Sequence, residues 1–493
     1  MRNESLQAPS CRHWRPELSR KAVVAASLVS LTALSACQLA PSHTRPDLPT
    51  SATYPSTVEP EPQSGVRAPT LGWRDFFADP RLDALIAVAL ERNRDLVSAV
   101  AQIEEARGAY RIQRADLLPT LSASAEAARA RTSPSGSRAS RAGDGSLAPG
   151  TSDFFTVGVG LSVFELDFWG RVRNLTAAAL AQYLGTVEAA RAFRLSLIRE
   201  VAFAYLQSLE AGERVELAEA TVQSRRDELR LAEHRLDSGV ISELELRQAE
   251  TLLTQAEAEL AALRFTRAQS DNLLERLIGG PLDTPLPEGL PLARQVDAAR
   301  VAAGLPSDLL GARPDILAAE ERLRAARANI GAARAAYFPT ITLTGSYGYA
   351  STELSNLVGQ EGNTWNYGPV IDVPLFDFGR RRGAVIAAQA RETIALAEYE
   401  RSIQTAFQEV SDALAGRRYL AEQVAAQERG TRAQRRLAEL ARKRYLEGVV
   451  SYLEVLDAER NLFASEQTLL QLRRAEAANL VSLYVALGGG VIE

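Results

Sequence analysis

Reactive side chains are scarce in this 493-residue chain, and Cys37 has the clearest chemistry. It ends the run Leu34-Ser35-Ala36-Cys37, where small residues admit a signal peptidase and the thiol can take a diacylglycerol before the leader is cut away. Arg20 and Lys21 precede the apolar run Ala22 to Ala36, which has the build of an export signal and is too short to span a bilayer. The alternative is a plain secretory leader that carries a cysteine by chance. Cys11 falls inside the leader, so the mature chain keeps one thiol and an intramolecular disulfide is excluded. Of three histidines, His13 is in the leader, His43 follows Cys37 closely, and His234 stands on a long helical stretch as a surface residue. Gly158-Val159-Gly160 lacks the third glycine of a phosphate loop, and Gly488 to Gly490 has no helix after it. Acylation rather than catalysis is the chemistry on offer. The chain is expected not to be an enzyme and to carry no cofactor or metal beyond the covalent lipid on Cys37.

A second group is electrostatic. Leu453, Asp457 and Arg460 fall at i, i+4 and i+7, on one face of a helix. Repeated around a symmetry axis, such carboxylates attract cations and repel one another, and Arg460 can bridge to neighbouring acids. The alternative on spacing alone is an ordinary solvated face. The 56 basic and 61 acidic residues give a net charge of −5, without the basic excess of a nucleic-acid binder, and no nucleic-acid partner is expected.

The elements that must position these residues come from an internal duplication. Asp116-Leu-Leu-Pro119-Thr120 returns as Ala336-Tyr-Phe-Pro339-Thr340, 220 residues later, and Asp167-Phe-Trp-Gly170-Arg171 returns as Asp377-Phe-Gly379-Arg380. Leu236-Asp-Ser-Gly239-Val240-Ile241-Ser242 returns as Tyr445-Leu-Glu-Gly448-Val449-Val450-Ser451. Residues 1–36 read as the leader, 37–72 as a Pro- and Ser-rich extended tether, 73–280 and 314–493 as the two repeats, and 281–313 as the segment between them. Folded structure is expected to begin near Trp73.

Each repeat opens helical, Leu82 to Leu118 in the first, until a proline ends it. Two stretches of alternating apolar and small or polar residues follow, as in strands with one greasy face. From Gly170 to Asp237, and from Gly379 to Glu447, no proline interrupts Ala-, Leu-, Arg- and Glu-rich sequence. Each could be one helix about 100 Å long at ~1.5 Å per residue. Leu246, Ala249, Leu253, Ala256, Leu260, Leu263, Leu274 and Leu277 supply a coiled-coil-like seam, interrupted at Arg267 and Ser270. The long helices turn back through tips in which Gly239 or Gly448 takes the left-handed position, and Ser242-x-x-Glu245 or Ser451-x-x-Glu454 forms a capping box. Aromatic residues at the strand ends, among them Phe154, Trp169, Tyr347, Trp365 and Phe378, suit the belts of transmembrane barrels. A soluble antiparallel sheet packed on the helices is the alternative. Four strands cannot close a membrane barrel, so strands crossing lipid must be completed by other subunits.

With these residues in view, the chain resembles the TolC-like outer-membrane efflux family, in particular its lipoprotein branch that pairs with RND pumps. The resemblance rests on Trp73-Arg-Asp-Phe76-Phe77-Ala-Asp79-Pro80, Asn93-Arg-Asp95-Leu96, Pro306-Ser-Asp308-Leu309-Leu310, Arg313-Pro314-Asp315 and Tyr445-x-x-Gly448-x-x-Ser451-Tyr-Leu453-x-Val-Leu456-Asp457-Ala-x-Arg460. It implies an α+β membrane protein whose four strands per chain join a trimeric 12-stranded β-barrel, continued by an α-helical barrel through the periplasm. It further implies a homotrimer acting as a passive exit channel, with a periplasmic adaptor and an inner-membrane RND pump as partners. Gln38 after the acylated cysteine, rather than Asp, implies outer-membrane sorting. By the same resemblance Leu453 narrows the channel, Asp457 and Arg460 join a constriction network, Tyr445 links the gate, and Glu245 is the acidic residue of the first tip. Gly239, Val240, Ile241 and Ser242, with Gly448, Val449, Val450 and Ser451, form the expected adaptor-docking surface. Two other readings stay open: a channel for protein or polysaccharide secretion, and a lipid-anchored periplasmic coiled-coil structural or adaptor protein.

Overall fold

The computed structural model describes residues 39–46, 49–51, 53–54, 66–131, 151–282, 285–295, 301–302 and 308–490; Cys37 and the expected leader lie outside them. In chain order the elements are β1 (Val66–Arg67), α1 (Trp73–Phe76), α2 (Pro80–Arg92), α3 (Arg94–Ala115), β2 (Leu121–Arg131), β3 (Thr151–Glu165), α4 (Arg171–Asp237), α5 (Glu243–Leu277), β4 (Val301–Ala302), α6 (Leu309–Ala312), α7 (Pro314–Ala335), β5 (Thr340–Ser351), β6 (Asn363–Asp372), α8 (Arg380–Leu446) and α9 (Tyr452–Ala486). Three helix pairs of the duplication are equal in length: α3 and α7 have 22 residues, α4 and α8 have 67, and α5 and α9 have 35.

The chain divides into two compact units. One comprises Met1–Ser42, Ile112–Ala178 and Arg327–Gln389. It holds a four-stranded antiparallel sheet in the order β2-β3-β5-β6, two strands from each repeat. Its strands run from 10 to 15 residues, enough for the ~9–11 residues that a tilted strand needs to cross a bilayer. Trp365 and Tyr367, two residues apart and so on one face, stack at 5.8 Å and stand largely exposed. No helix among the described residues is long and apolar enough to cross a membrane, which has no bearing on strands.

The other unit comprises His43–Arg111, Ala179–Ala326 and Ala390–Glu493. Its main core gathers Trp73, Phe76, Leu82 and Ile86 around Tyr205, Tyr399 and Tyr484, with Phe76 stacked on Tyr484 at 4.0 Å. A smaller cluster, Val215, Ala218 and Val222 of α4 with Leu260 and Leu263 of α5, marks the expected seam. Ser270, expected to interrupt it, is buried there and returns its hydroxyl to the Thr266 carbonyl at 2.9 Å. Arg313 explains the Arg-Pro-Asp motif: it reaches Asp315 at 2.7 Å, Glu409 at 2.7 Å and the Ala486 carbonyl at 3.1 Å, tying the start of α7 to α8 and α9.

Three expectations need correction. The first helix of the repeat is not continuous from Leu82. Asn93 breaks it, with ψ of 126°, its side-chain oxygen accepting the Leu96 amide at 2.9 Å and its amide donating to the Leu277 carbonyl at 2.8 Å; an Asn in that role starts a new helix. Ordered contacts also begin before Trp73. His43 and Arg45 both reach the buried Glu320, Tyr54 stacks on Phe407 at 5.3 Å, and β1 pairs in parallel with β4. Single charge pairs and one ring hold this stretch, which apolar periodicity does not register. Finally, Ser242 caps α5 through the Glu245 amide at 3.4 Å, whereas Ser451 has the backbone of a cap but no side-chain bond.

Candidate functional site at the helix tips

The tips arise where each 67-residue helix must reverse. Gly239 and Gly448 have φ of 73° and 72°, the left-handed conformation that glycine adopts without a Cβ penalty. In the first tip the Gly239 amide donates to the Leu236 carbonyl and the Val240 amide to the Arg235 carbonyl, the paired bonds of a Schellman turn; Gly448 and Val449 repeat them on Tyr445 and Arg444. The residue that would supply the apolar contact under such a turn is an arginine in both copies. Val240 and Val449 are therefore left 70% and 64% exposed, while Ile241 and Val450 are half-buried. One apolar residue of each tip thus faces outward, where polar residues are usual.

Beyond the second tip α9 begins, and its first turns carry the three residues of the electrostatic group. Leu453, Asp457 and Arg460 all line one groove of about 370 Å³ between α9 and α5, opposite Leu244, Arg247 and Leu252. Leu453 is 53% exposed, and Arg460 pairs with Asp457 of its own helix at 3.0 Å, both side chains in solvent. An exposed pair of this kind contributes less than ~1 kcal/mol to stability. Its charges therefore remain available to the space in front of the groove. Arg247 faces the same groove while bonded to Glu243 and Glu250 along α5. These two carboxylates raise its pKa above the ordinary arginine value, so it keeps its charge.

Tyr445 and Glu245 are not in the groove. Tyr445, near the end of α8, accepts a hydrogen bond from Arg235 of α4, whose guanidinium lies 5.1 Å from the ring centre, and packs its ring 5.2 Å from Tyr452. It joins the two long helices at the turn. Glu245 is half-buried, and among the described residues its carboxylate does not bond back to the Ser242 amide, so half of the capping box is made.

Sequence reasoning missed a buried polar cluster just behind the tips. Arg225 of α4, 5% exposed, bonds to Glu228 at 2.8 Å and to Glu459 of α9; Tyr452 donates to Glu228 at 3.1 Å, and Arg442 of α8 stands 3.9 Å from Glu459. Burial raises the Glu459 pKa, with Glu228 adding to the rise and Arg225 and Arg442 opposing it. Burial pushes the Tyr452 phenol up as well, so it serves as a neutral donor. Two signals were available: Glu459 and Arg460 adjoin but must lie on different faces of α9, and Arg225 and Glu228 stand at i and i+3 of α4; spacing within single helices gave no hint of the bond between Arg225 and Glu459. Among the described residues no group of three or more His, Cys, Asp or Glu is placed to hold a metal.

Comparison with known proteins follows the same plan. The sequence pattern of the family described as "Outer membrane efflux protein" matches residues 85–280 and 305–489. The solvent efflux pump outer membrane protein SrpC of Pseudomonas putida is 41% identical over 466 residues, 94% of this chain and 97% of that protein. The cation efflux system protein CusC of Escherichia coli K12 is 37% identical over 459 residues, 93% of this chain and 97% of that one. Among solved structures, the open state of the MtrE outer membrane channel of Neisseria gonorrhoeae superposes with a TM-score of 0.83 at 38% identity, covering 92% of this chain and 99% of that chain.

Proposed function

The chain belongs to the outer membrane efflux protein family, and on that premise we propose that it is the passive exit duct of a tripartite efflux system, gated where its helix tips converge. As in its family, it is an outer-membrane homotrimer that works with a periplasmic adaptor and an inner-membrane pump. Its strands supply the barrel and its helices the periplasmic extension. We read Cys37 as the acylated anchor. The duct itself performs no reaction. Relatives of nearly equal similarity are named for solvent and for cation efflux, which supports a channel that leaves the choice of cargo to its partners.

The observation that carries the gate is the groove between α5 and α9, which gathers Leu453, Asp457 and Arg460 on one surface although the sequence offered only their spacing. Around a threefold axis each becomes a ring. Leu453 would narrow the passage with apolar bulk, Asp457 would give it cation preference, and Arg460 would pair with acids at rest and part from them on opening. Tyr445, with its bond to Arg235, fixes the turn behind this face. Val240, Ile241, Val449 and Val450, presented by Gly239, Ser242, Gly448 and Ser451, would meet the adaptor, and Glu245 is assigned to the first tip beside them. Leu453→Ala and Asp457→Ala should each raise single-channel conductance in planar bilayers several-fold over the resting wild type. Wild-type conductance in both variants would remove these residues from the gate.

A further inference from the structure

Phe378 is the most exposed large apolar residue described, at 105% of its reference area, and it is the one described non-glycine residue with positive φ, 53°. A bulky side chain in the left-handed region carries strain, and an aromatic ring wholly in solvent forgoes its burial. The neighbouring Leu375 and Phe376 are 78% and 90% exposed. These residues directly follow β6, an open edge of the sheet. At the other open edge, Leu118, just before β2, is 70% exposed, and Leu121, the first residue of β2, 69%.

The duplication supplies the missing contact. Within the chain, the exit of β3 lies beside the entry of β5: Glu165 registers with Thr342, and the Leu166 amide donates to the Ile341 carbonyl at 2.8 Å. There Trp169, which immediately precedes the positive-φ Gly170, stacks on Phe338 at 4.7 Å and donates its indole N–H to the Pro339 carbonyl at 2.8 Å. At the corresponding places in the other repeat, Phe378 precedes the positive-φ Gly379, and Leu118 precedes Pro119. Three successive antiparallel pairings make β6 run opposite to β2. When the β6 edge of one subunit pairs antiparallel with the β2 edge of the next, the exit of β6 comes to lie beside the entry of β2, as the exit of β3 does beside β5.

We propose that Phe378 of one subunit closes onto Leu118 and Pro119 of the next, repeating across the subunit boundary the junction that Trp169 makes with Phe338 and Pro339 inside the chain. Leu375 and Phe376 flank this contact. Each trimer then has three junctions within chains and three between them. The second copy of the motif is one residue shorter, Asp377-Phe378-Gly379 against Asp167-Phe168-Trp169-Gly170, which leaves Phe378 to occupy the place of Trp169 at the expense of its backbone conformation.

The test uses the full-length chain in outer-membrane vesicles, in which Cys37, the one native cysteine of the mature chain, carries its lipid on the proposed reading and offers the reagent no free thiol. Phe378→Cys combined with Leu118→Cys, treated with a short bifunctional thiol reagent, should give covalent dimers and trimers on a denaturing gel, and neither single change should. Trp169→Cys with Phe338→Cys should cross-link inside one chain and stay at monomer mass. A double variant that assembles as a trimer yet yields no covalent dimer would overturn the contact. Should that variant fail to assemble, Phe378→Ser and Phe378→Trp decide the matter by the temperature at which the trimer dissociates in detergent. Serine should lower it by several degrees and tryptophan should retain it, whereas a serine variant as heat-resistant as wild type rejects the proposal.

Discussion

Behind the tips, Glu459 is the side chain through which pH should reach the surroundings of the proposed gate. It shares Arg225 with Glu228 in a site where the three side chains are 15%, 6% and 9% exposed. One guanidinium does not compensate two buried carboxylates, and Arg442 at 3.9 Å assists from a more exposed position. The Glu459 pKa is consequently raised in the folded state by its burial. A raised carboxyl pKa means that the folded chain binds its proton more tightly than the unfolded chain does. The stability this confers is complete below the ordinary glutamate range and is lost as pH rises through the raised value. Packing of α9 on α4 should therefore be firmer in mild acid than at neutral pH. Amide hydrogen exchange across residues 452–463 should slow as pH is lowered toward the ordinary glutamate pKa, after correction for intrinsic rates, and Glu459→Gln should remove that dependence. An equal pH dependence in the glutamine variant would assign the effect to another group.

At the scale of the element, the tips are governed by backbone conformation more than by contacts. A Cβ added at Gly239 or Gly448 would meet nothing within 4 Å, so the left-handed φ is the only obstacle to substitution. Gly448→Ala should destabilise the second tip by about 1–2 kcal/mol, and Gly448→Asn by less, because Asn tolerates this region. Urea unfolding followed by far-ultraviolet circular dichroism should rank the three chains Gly, Asn, Ala, and an alanine variant equal to wild type would contradict the turn. These tips were legible because a glycine followed by a serine marks both halves of a reversal, and the 67-residue helices were legible because nothing in them stops a helix. The break at Asn93 was hidden: its signal is one side chain satisfying groups on two helices, with no change of composition. The α5 to α9 groove was half legible, for spacing placed Leu453, Asp457 and Arg460 on one face but said nothing of Arg247 opposite them. Arg225 escaped altogether, since Glu459, the partner that ties it to α9, lies more than two hundred residues away, and a charge paired with Glu228 in an Arg- and Glu-rich stretch reads as solvated until its other neighbours are known.

The whole molecule is shaped by its incompleteness. A four-stranded sheet with open edges at β2 and β6 presents two rows of unpaired amides and carbonyls. In lipid each unsatisfied group costs several kcal/mol, so the edges must pair with sister subunits and the pairing must close on itself. Assembly and membrane insertion are thus linked by the same hydrogen bonds, whereas the lipid proposed for Cys37 would act separately. An acyl chain contributes ~0.8 kcal/mol for each buried methylene, enough with several chains to hold a subunit at the surface while it waits for partners, but it pairs no edge. The anchor should consequently influence how quickly subunits meet and have little part in what holds the finished channel in place. Cys37→Ser, exported with a leader that is cleaved without acylation, should still be recovered with the outer membrane, require detergent for extraction and run as a trimer, though in reduced yield. Recovery of that variant as a soluble monomer would mean that the lipid alone holds the chain to the membrane, and the sheet would then have to be a packed soluble layer.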